Sequence, residues 1–150
     1  MDTSNLTKVV RFEITDNGFV FYDEQGSVPN PENSYWNGSL DFRNDNIQSI
    51  KGLPHIIEGN LDLEFYQGKS LKGLPSVVNG YLDLRSYNGE SLEGLPSVVN
   101  GSFWLLNYKG NDYNNLPKEY KEIFIKDRWY KKSEFDDWWK TEKLKKALLD

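Results

Sequence analysis

Among the residues that could do chemistry, three regularly spaced aspartates are the strongest candidates in this chain. Asp41, Asp62 and Asp83 recur at one constant spacing. Grouped carboxylates can act as general acids and bases or can bind divalent cations. The even spacing argues against both uses, because carboxylates fixed along a repeat do not wrap their oxygens around one ion or share one pocket. We therefore expect no catalytic residue, no metal site and no cofactor.

The other reactive side chains form no catalytic arrangement either. His55 is the only histidine, and the chain has no cysteine. A single histidine without a neighbouring nucleophile or metal ligand is typical of a surface loop. The sequence also has no phosphate-binding glycine loop, metalloprotease motif or nucleophile elbow. These observations favour a binding protein over an enzyme.

The elements that carry the aspartates belong to a 21-residue repeat. One glycine marks each copy, and one proline follows it at a constant distance. Self-similarity at a fixed period of this length indicates a solenoid, in which each copy forms one turn. The four copies span residues 38–117. The marker residues are Gly38, Gly59, Gly80 and Gly101, followed by Pro54, Pro75, Pro96 and Pro117.

Each copy predicts one short strand followed by a non-helical return. Apolar residues stand two and four positions after the glycine, as Leu61 and Leu63 do, and this alternation indicates a strand with one buried face. The Leu-Pro pair should end the turn, because proline donates no amide hydrogen and favours extended geometry in the residue before it. The expected architecture is a row of parallel β-strands joined by short returns.

The segments GNLDLEFYQGKSLKGLPSVV and GYLDLRSYNGESLEGLPSVV resemble the short, Leu-Pro-containing leucine-rich repeats of bacteria and bacteriophages. The resemblance implies a leucine-rich-repeat-like solenoid that binds a protein partner through its concave face or rim. It also implies a narrower role, that of a phage-encoded inhibitor of a bacterial defence complex. An anti-CRISPR protein that acts on a CRISPR effector nuclease is one example.

One feature of the chain departs from those repeats. The asparagine-then-leucine pair that usually follows the strand survives only as Asn46-Ile47, so a standard asparagine ladder is in doubt. In the other copies, Tyr66, Tyr87 and Tyr108 stand just before the position equivalent to Asn46. An exposed row of tyrosines could stack on single-stranded nucleic acid. Their fixed place in the repeat favours packing into the vacated space instead.

The N-terminal segment departs from the repeat, as a cap over the end of a solenoid should. Apolar runs at 8–14 and 19–22 flank Asn17-Gly18, and this pattern predicts a β-hairpin. We expect one domain over 1–150. Its parts are an N-terminal β-hairpin cap (1–37), the repeats (38–117) and a C-terminal α-helical cap (118–150).

The C-terminal segment is rich in helix-forming residues. It predicts helices at 118–126 and 134–148, the second with Ser133 as its N-cap. Apolar residues fall on two sides of the second helix, so the helix either bends across the cap or offers one side to a partner. Trp129, just before it, is expected to pack at the junction with the cap. The candidate contact residues of this helix are Trp138, Trp139, Lys143, Leu144 and Leu148.

The strands supply a second candidate surface, on the face expected to be concave. Outward residues at equivalent positions of in-register strands stack about 4.8 Å apart. The aspartates form one such column, which ends at Trp104, and the next column carries arginines that offset repulsion between like charges. We interpret this face as an acidic strip that contacts a protein partner; a solvated strand face is the alternative. The candidate contacts are Asp41, Asp62, Asp83, Arg43, Glu64, Arg85, Tyr81 and Trp104.

Charge leaves a second function open. The net charge is −5, with −7 in residues 1–117 and +2 in residues 118–150. A strong nucleic-acid binder normally concentrates basic residues, so binding of RNA or single-stranded DNA is the alternative function. It would use the aromatic and basic segment Arg128, Trp129, Tyr130, Lys131, Lys132, Lys140, Lys143, Lys145 and Lys146.

The expected location is the cytoplasm, which is the host cytoplasm for a phage protein. Residues 1–10 lack a basic opening and a continuous apolar run, and no apolar stretch has the length of a membrane span. The lack of cysteine fits a reducing compartment. No membrane partner is expected.

Overall fold

The computed structural model describes residues 2–149. They form a parallel β-solenoid of about four turns that ends in one helix. The strands are β1 (Thr7–Thr15), β2 (Gly18–Asp23), β3 (Ser34–Trp36), β4 (Leu40–Asp41), β5 (Ile56–Ile57), β6 (Leu61–Asp62), β7 (Val77–Val78), β8 (Leu82–Asp83), β9 (Val98–Val99), β10 (Ser102–Trp104), β11 (Glu122–Ile125) and β12 (Arg128–Lys131). A 3₁₀ helix covers Pro31–Asn33, and α1 covers Lys132–Leu149.

Each turn contributes two strands, and they build two sheets. The first sheet has the order β2-β1-β3-β5-β7-β9, and the second has the order β12-β11-β10-β8-β6-β4. Strands from successive turns pair in parallel with a shift of one repeat unit, as Leu40, Leu61 and Leu82 show. The parallel solenoid and its non-helical returns agree with the prediction. The first sheet lies in the return segments, where no strand was predicted.

The core lies between the two sheets. Successive strand residues point to opposite faces, so the leucines two and four positions after each glycine stack inward. Leu61, Leu63, Leu82 and Leu84 are fully buried, as are Ile57, Val78 and Val99 of the first sheet. These side chains form inward ladders in which each residue packs on its equivalent in the neighbouring turn.

The tyrosines of the repeat also belong to the core. Tyr66 and Tyr87 are buried, and Tyr108 is partly buried against the same cluster. Their hydroxyls donate to the backbone carbonyls of Ser70, Ser91 and Asp112. Each hydrogen bond closes the five-residue loop that follows the strand. The predicted packing role is therefore confirmed.

A side-chain ladder marks the corner between the sheets, at a position where none was predicted. The Asn100 amide donates to Asn79 at 2.7 Å, and the Asn79 amide donates to Glu58 at 3.0 Å. Asn60 makes a second link by accepting the amide of Tyr81 at 2.8 Å. Hydrogen bonds to side chains satisfy polar groups that a sharp corner removes from the sheets.

The N-terminal cap is a hairpin, as predicted. β1 and β2 pair antiparallel around Asn17-Gly18, and β1 then pairs in parallel with β3 at the edge of the first sheet. Aromatic side chains close this end of the core, with ring centroids 4.7 to 6.0 Å apart. They are Phe12, Phe19, Phe21, Trp36 and Phe42.

The predicted helix at 118–126 is wrong. β11 and β12 form an antiparallel hairpin there, and β11 pairs in parallel with β10. Lys126 and Asp127, both with positive φ, make the two-residue turn. Ile123 and Ile125 point into the core while Phe124 points outward. Burial of this alternating pattern on the edge of β10 outweighs the local preference for helix.

Helix α1 covers the predicted 134–148 but begins earlier. Ser133 is not the N-cap, because the helix already includes Lys132. The Glu134 carboxylate accepts the amide of Lys131 at 2.9 Å, so an acidic side chain satisfies an otherwise unpaired donor at this terminus. Phe135 and Trp139 are buried against the last turn. Within residues 2–149, no helix has the length and apolarity to cross a bilayer.

Candidate functional site

One outward row runs across the whole second sheet. Asp41, Asp62, Asp83 and Trp104 are directly aligned on β4, β6, β8 and β10. The row then continues through β11 and β12. We call this row the outer column; its six members are Asp41, Asp62, Asp83, Trp104, Phe124 and Trp129. At about 4.8 Å per strand it is roughly 24 Å long, with acids at one end and aromatic rings at the other.

The aspartates have a local structural role that the sequence analysis missed. In each, Oδ1 accepts the backbone amide of the residue two positions later, at 3.1 Å for Asp41, 3.0 Å for Asp62 and 3.1 Å for Asp83. Such a hydrogen bond turns the chain and ends the strand. The repeated aspartate therefore explains why these strands are so short.

Two arginines neutralise the outer aspartates, as expected. Arg43 contacts Asp41 through Nε at 3.0 Å and Nη2 at 2.7 Å. Arg85 contacts Asp83 through Nε at 3.1 Å and Nη2 at 2.6 Å. Paired contacts of this kind are stronger and more directional than single ion contacts. Asp41 and Asp83 therefore each have a guanidinium partner from their own turn.

The middle turn lacks this arrangement because Glu64 stands where its neighbours have arginine. Asp62 is left with Arg43 Nε at 3.4 Å, and Glu64 is left with Arg85 Nη1 at 3.3 Å. The Asp62 side chain is only 6% exposed. The four carboxylates of Asp41, Asp62, Glu64 and Asp83 thus share two guanidinium groups, those of the two arginines. The excess negative charge lies at Asp62 and Glu64.

The electrostatics of the column follow from this imbalance. Burial raises the pKa of Asp62, and the charges of Asp83 and Asp41 raise it further, although the Glu64 amide and Arg43 act in the opposite direction. Arg43 instead lowers the pKa of Asp41 through its hydrogen bonds. Burial raises the pKa of Tyr81, which lies close enough to Asp62 and Asp41 to feel their charges as well. Asp62 is thus an unfavourably placed charge in the folded protein.

Asp62→Asn should raise the thermal unfolding midpoint at pH 7 by roughly 2–4 °C. Asparagine keeps an oxygen for the Glu64 amide and removes the buried charge. Below the ordinary pKa of 3.8, the wild-type carboxyl is protonated whether folded or unfolded and carries no penalty. Above its raised folded-state pKa, the penalty is complete. The advantage of the variant should therefore grow as the pH rises above about 4 and level off above the raised pKa, measured by thermal unfolding.

Asp41→Asn is the matched control, with the opposite sign expected. Arg43 lowers the pKa of Asp41, so the charged form stabilises the fold at pH 7. This variant should be less stable than wild type at pH 7, and the difference should fade as the pH falls through the lowered pKa. An Asp62→Asn protein that is also less stable at pH 7 would contradict the assignment of excess charge.

Within residues 2–149, one cluster of three carboxylates could hold a metal ion, and it consists of Asp62, Glu64 and Asp83. One oxygen from each lies within 4.8 Å of the others. Arg85 already contacts Glu64 and Asp83, so a metal ion would have to displace its guanidinium. The guanidinium therefore competes with any metal ion for these carboxylates.

The aromatic end of the column is a cluster of interlocked rings. The ring of Trp129 lies 5.1 Å from that of Trp104 and 5.2 Å from that of Phe124. Tyr81 contacts Trp104 edge-on at 5.6 Å, and Arg85 lies 5.6 Å over the Trp104 ring. Trp129 is 38% exposed, so the cluster is open to solvent.

Phe124 was not among the predicted contact residues, and Trp129 was named as a contact only for the alternative binding of nucleic acid. Trp129 was expected to pack at the cap junction, and Phe124 fell in the segment predicted as helix. The signal that could have found them is the alternation in EIFIKDRWYK, in which two β-rich runs flank a two-residue turn. Ser102 pairs with Glu122, so the step from β10 to β11 is 20 residues, one fewer than the repeat. Because of this irregularity, the repeat pattern did not predict β11.

The predicted contacts of α1 lie in two different environments. Trp138 and Trp139 pack around Tyr113, and the Trp139 indole donates to Asn114 at 3.1 Å. The ammonium of Lys143 lies 5.6 Å from the Trp139 ring. Leu144 and Leu148 are 59% and 87% exposed. The tryptophans hold the helix in place, while the two leucines and Lys143 face solvent.

Several basic residues of the alternative nucleic-acid segment have partners within the protein. Arg128 lies 3.7 Å from Glu134 and stacks over Tyr130. Acidic neighbours also contact Lys132 and Lys145, while Lys146 lies over the Trp139 ring. Trp129 belongs to the outer column. These contacts reduce the charge available to phosphates.

Comparisons with protein-family models, with curated proteins and with solved structures found no match for this chain.

Proposed function

We propose that this protein is a non-enzymatic protein-binding module whose contact surface is the outer face of the second sheet. The observation that carries the proposal is the outer column itself, which places stacked acids and stacked aromatic rings in one register on hydrogen-bonded strands. Aromatic residues and arginine are the side chains most enriched where binding energy is concentrated. A rigid scaffold also reduces the entropy lost on binding.

The charge of Asp62 supports the same proposal. A buried carboxylate beside two others opposes folding, and the amide of asparagine would serve the turn equally well. Groups held in unfavourable electrostatic environments cluster at functional sites, where stability is given up for activity or binding. Asp62 and the open aromatic cluster together distinguish this face from the first sheet, whose outward residues include Val77 and Val98.

The narrower predictions are retained as proposals. Kinship with the leucine-rich repeats is supported by the leucine and Leu-Pro positions of each turn. Inhibition of a bacterial defence nuclease rests on the sequence resemblance, and the same face would serve it.

Asp62→Lys with Trp104→Ala should weaken partner binding at least about 30-fold, since loss of one central aromatic residue commonly costs about 2 kcal/mol or more. A partner would be captured from the source organism, identified by mass spectrometry and purified. Its Kd would then be measured with wild type and the double variant by calorimetry.

Ser97→Lys with Val98→Ala is the matched control on the outer face of the first sheet. It introduces a lysine just before β9 and truncates an apolar residue on β9, and it should leave the Kd within about twofold. Circular dichroism should show that both variants are folded. An unchanged Kd for the Asp62 and Trp104 variant would rule out this face as the contact surface.

A further inference from the structure

We infer that the partner inserts a lysine or arginine side chain at Asp62 and Glu64, and lays an apolar or aromatic side chain of the same segment on Trp104, Phe124 and Trp129. This inference rests on the proposed function and specifies the chemistry of the partner. It concerns the middle turn of the outer column, where the protein's own arginines leave acceptors free.

The hydrogen bonds of the four carboxylates identify those acceptors. Both oxygens of Asp41 accept from Arg43, and both oxygens of Asp83 accept from Arg85. Asp62 Oδ1 accepts the Glu64 amide, whereas Oδ2 has only the 3.4 Å ion contact with Arg43. Within the described chain, Glu64 likewise has only its 3.3 Å ion contact with Arg85. One added cation with several N–H donors would complete both groups.

The neighbouring rings suit a long cationic side chain. Tyr81 lies beside the aspartates and its ring contacts Trp104, so it joins the acidic end of the outer column to the aromatic end. Lysine and arginine can lay their methylene groups along such rings while the charged end reaches a carboxylate. Arg85 already places its guanidinium over the Trp104 ring. A phosphate-bearing ligand would instead meet excess negative charge.

The register sets the spacing of the two partner side chains. Asp62 lies two strands from Trp104 and three from Phe124. At about 4.8 Å per strand, these separations are roughly 10 and 14 Å. An extended segment rises about 3.3 Å per residue and covers them in three or four residues. The expected partner sequence therefore has a basic residue three or four positions from an apolar or aromatic one.

The test uses a phage-displayed library of random 12-residue peptides selected on the full chain. Selected peptides should share a lysine or arginine three or four positions from an aromatic or large apolar residue. The most enriched peptide would be synthesised, and its Kd would be measured by calorimetry. Asp62→Asn with Glu64→Gln should weaken its binding at least about tenfold, as loss of a charged contact does. Higher sodium chloride should weaken wild-type binding as well.

Glu90→Gln with Glu93→Gln is the matched control, since it removes two charges from a return segment away from the outer column. It should leave the peptide Kd within about twofold. Micromolar calcium that displaces the peptide would identify a metal site and overturn the inference.

The remaining outcomes separate the inference from the proposed function. Peptides that lose binding with Trp104→Ala, yet lack a basic residue or tolerate Asp62→Asn with Glu64→Gln, would overturn the inference and leave the proposed function standing. A library that yields no peptide dependent on Trp104 would count against both.

Discussion

Gly94→Ala should lower the free energy of unfolding by about 3 kcal/mol or more. Gly94 has a φ of +104°, a conformation that residues with a side chain rarely adopt. An added Cβ would also lie 2.5 Å from the carbonyl carbon and oxygen of Leu71 in the preceding turn. Leu71 is fully buried, so its backbone cannot retreat without opening the core. The substitution therefore pushes two turns apart.

Chemical denaturation at equilibrium would measure this loss, with Gly26→Ala as its control. Gly26 has a φ of +82°, but an added Cβ there would meet only the Arg11 side chain, at 3.8 Å. The control includes backbone strain without a clash between turns and should cost about 1 kcal/mol. Equal costs at the two sites would show that close approach between turns is not what requires Gly94.

Phe135→Ala should cost about 3–5 kcal/mol, the usual range for removing a fully buried phenylalanine. Phe135 is the most deeply buried residue of α1 and packs, with Trp138 and Trp139, against the last turn. Its ring lies 5.2 Å from those of Tyr113 and Trp138 and 5.4 Å from that of Tyr130. Alanine would leave a cavity among three rings that cannot all move inward. We expect α1 to detach at lower denaturant than the strands.

Far-ultraviolet circular dichroism and hydrogen exchange would follow that detachment separately from global unfolding. Leu144→Ala is the matched control on the same helix, because Leu144 is exposed and alanine favours helix. It should change the free energy of unfolding by less than about 0.5 kcal/mol. Slow exchange of α1 amides in Phe135→Ala would argue against this docking role.

The predictable parts of the fold are those that the repeat dictates. A constant shift of one repeat unit makes each inward or outward position the same in every turn. Once the inward and outward positions of one copy are assigned, equivalent residues of the next copy must stack on them. Leu61 with Leu82 and Asp62 with Asp83 are examples. The outer column could be predicted as far as Trp104 for this reason.

The last strand could not be predicted in the same way. Residues 118–126 favour helix locally, and their pairing depends on an open edge at β10 that exists only after the earlier turns have formed. Strand preference depends on such partners more than helix preference does. The aromatic end of the candidate site was therefore missed together with its strand.

The first sheet was missed for a different reason. Its central strands are two residues long, as Ile56–Ile57 and Val77–Val78 show, and their outward residues are as apolar as their inward ones. No polar alternation marks them in the sequence. Two-residue pairs become strands only because four turns align them.

The two hairpins sit on different sheets, the N-terminal one beside β3 and the C-terminal one beside β10. Within residues 2–149, neither hairpin pairs with the strands of the two middle turns, β5 to β8. Duplication or deletion of one whole unit in a gene would thus leave each cap on its present neighbour and keep every ladder in register. Such an event would lengthen or shorten the outer column by one residue. The length of the contact surface could therefore evolve by about 4.8 Å at a time, with no change in the sequence of either cap.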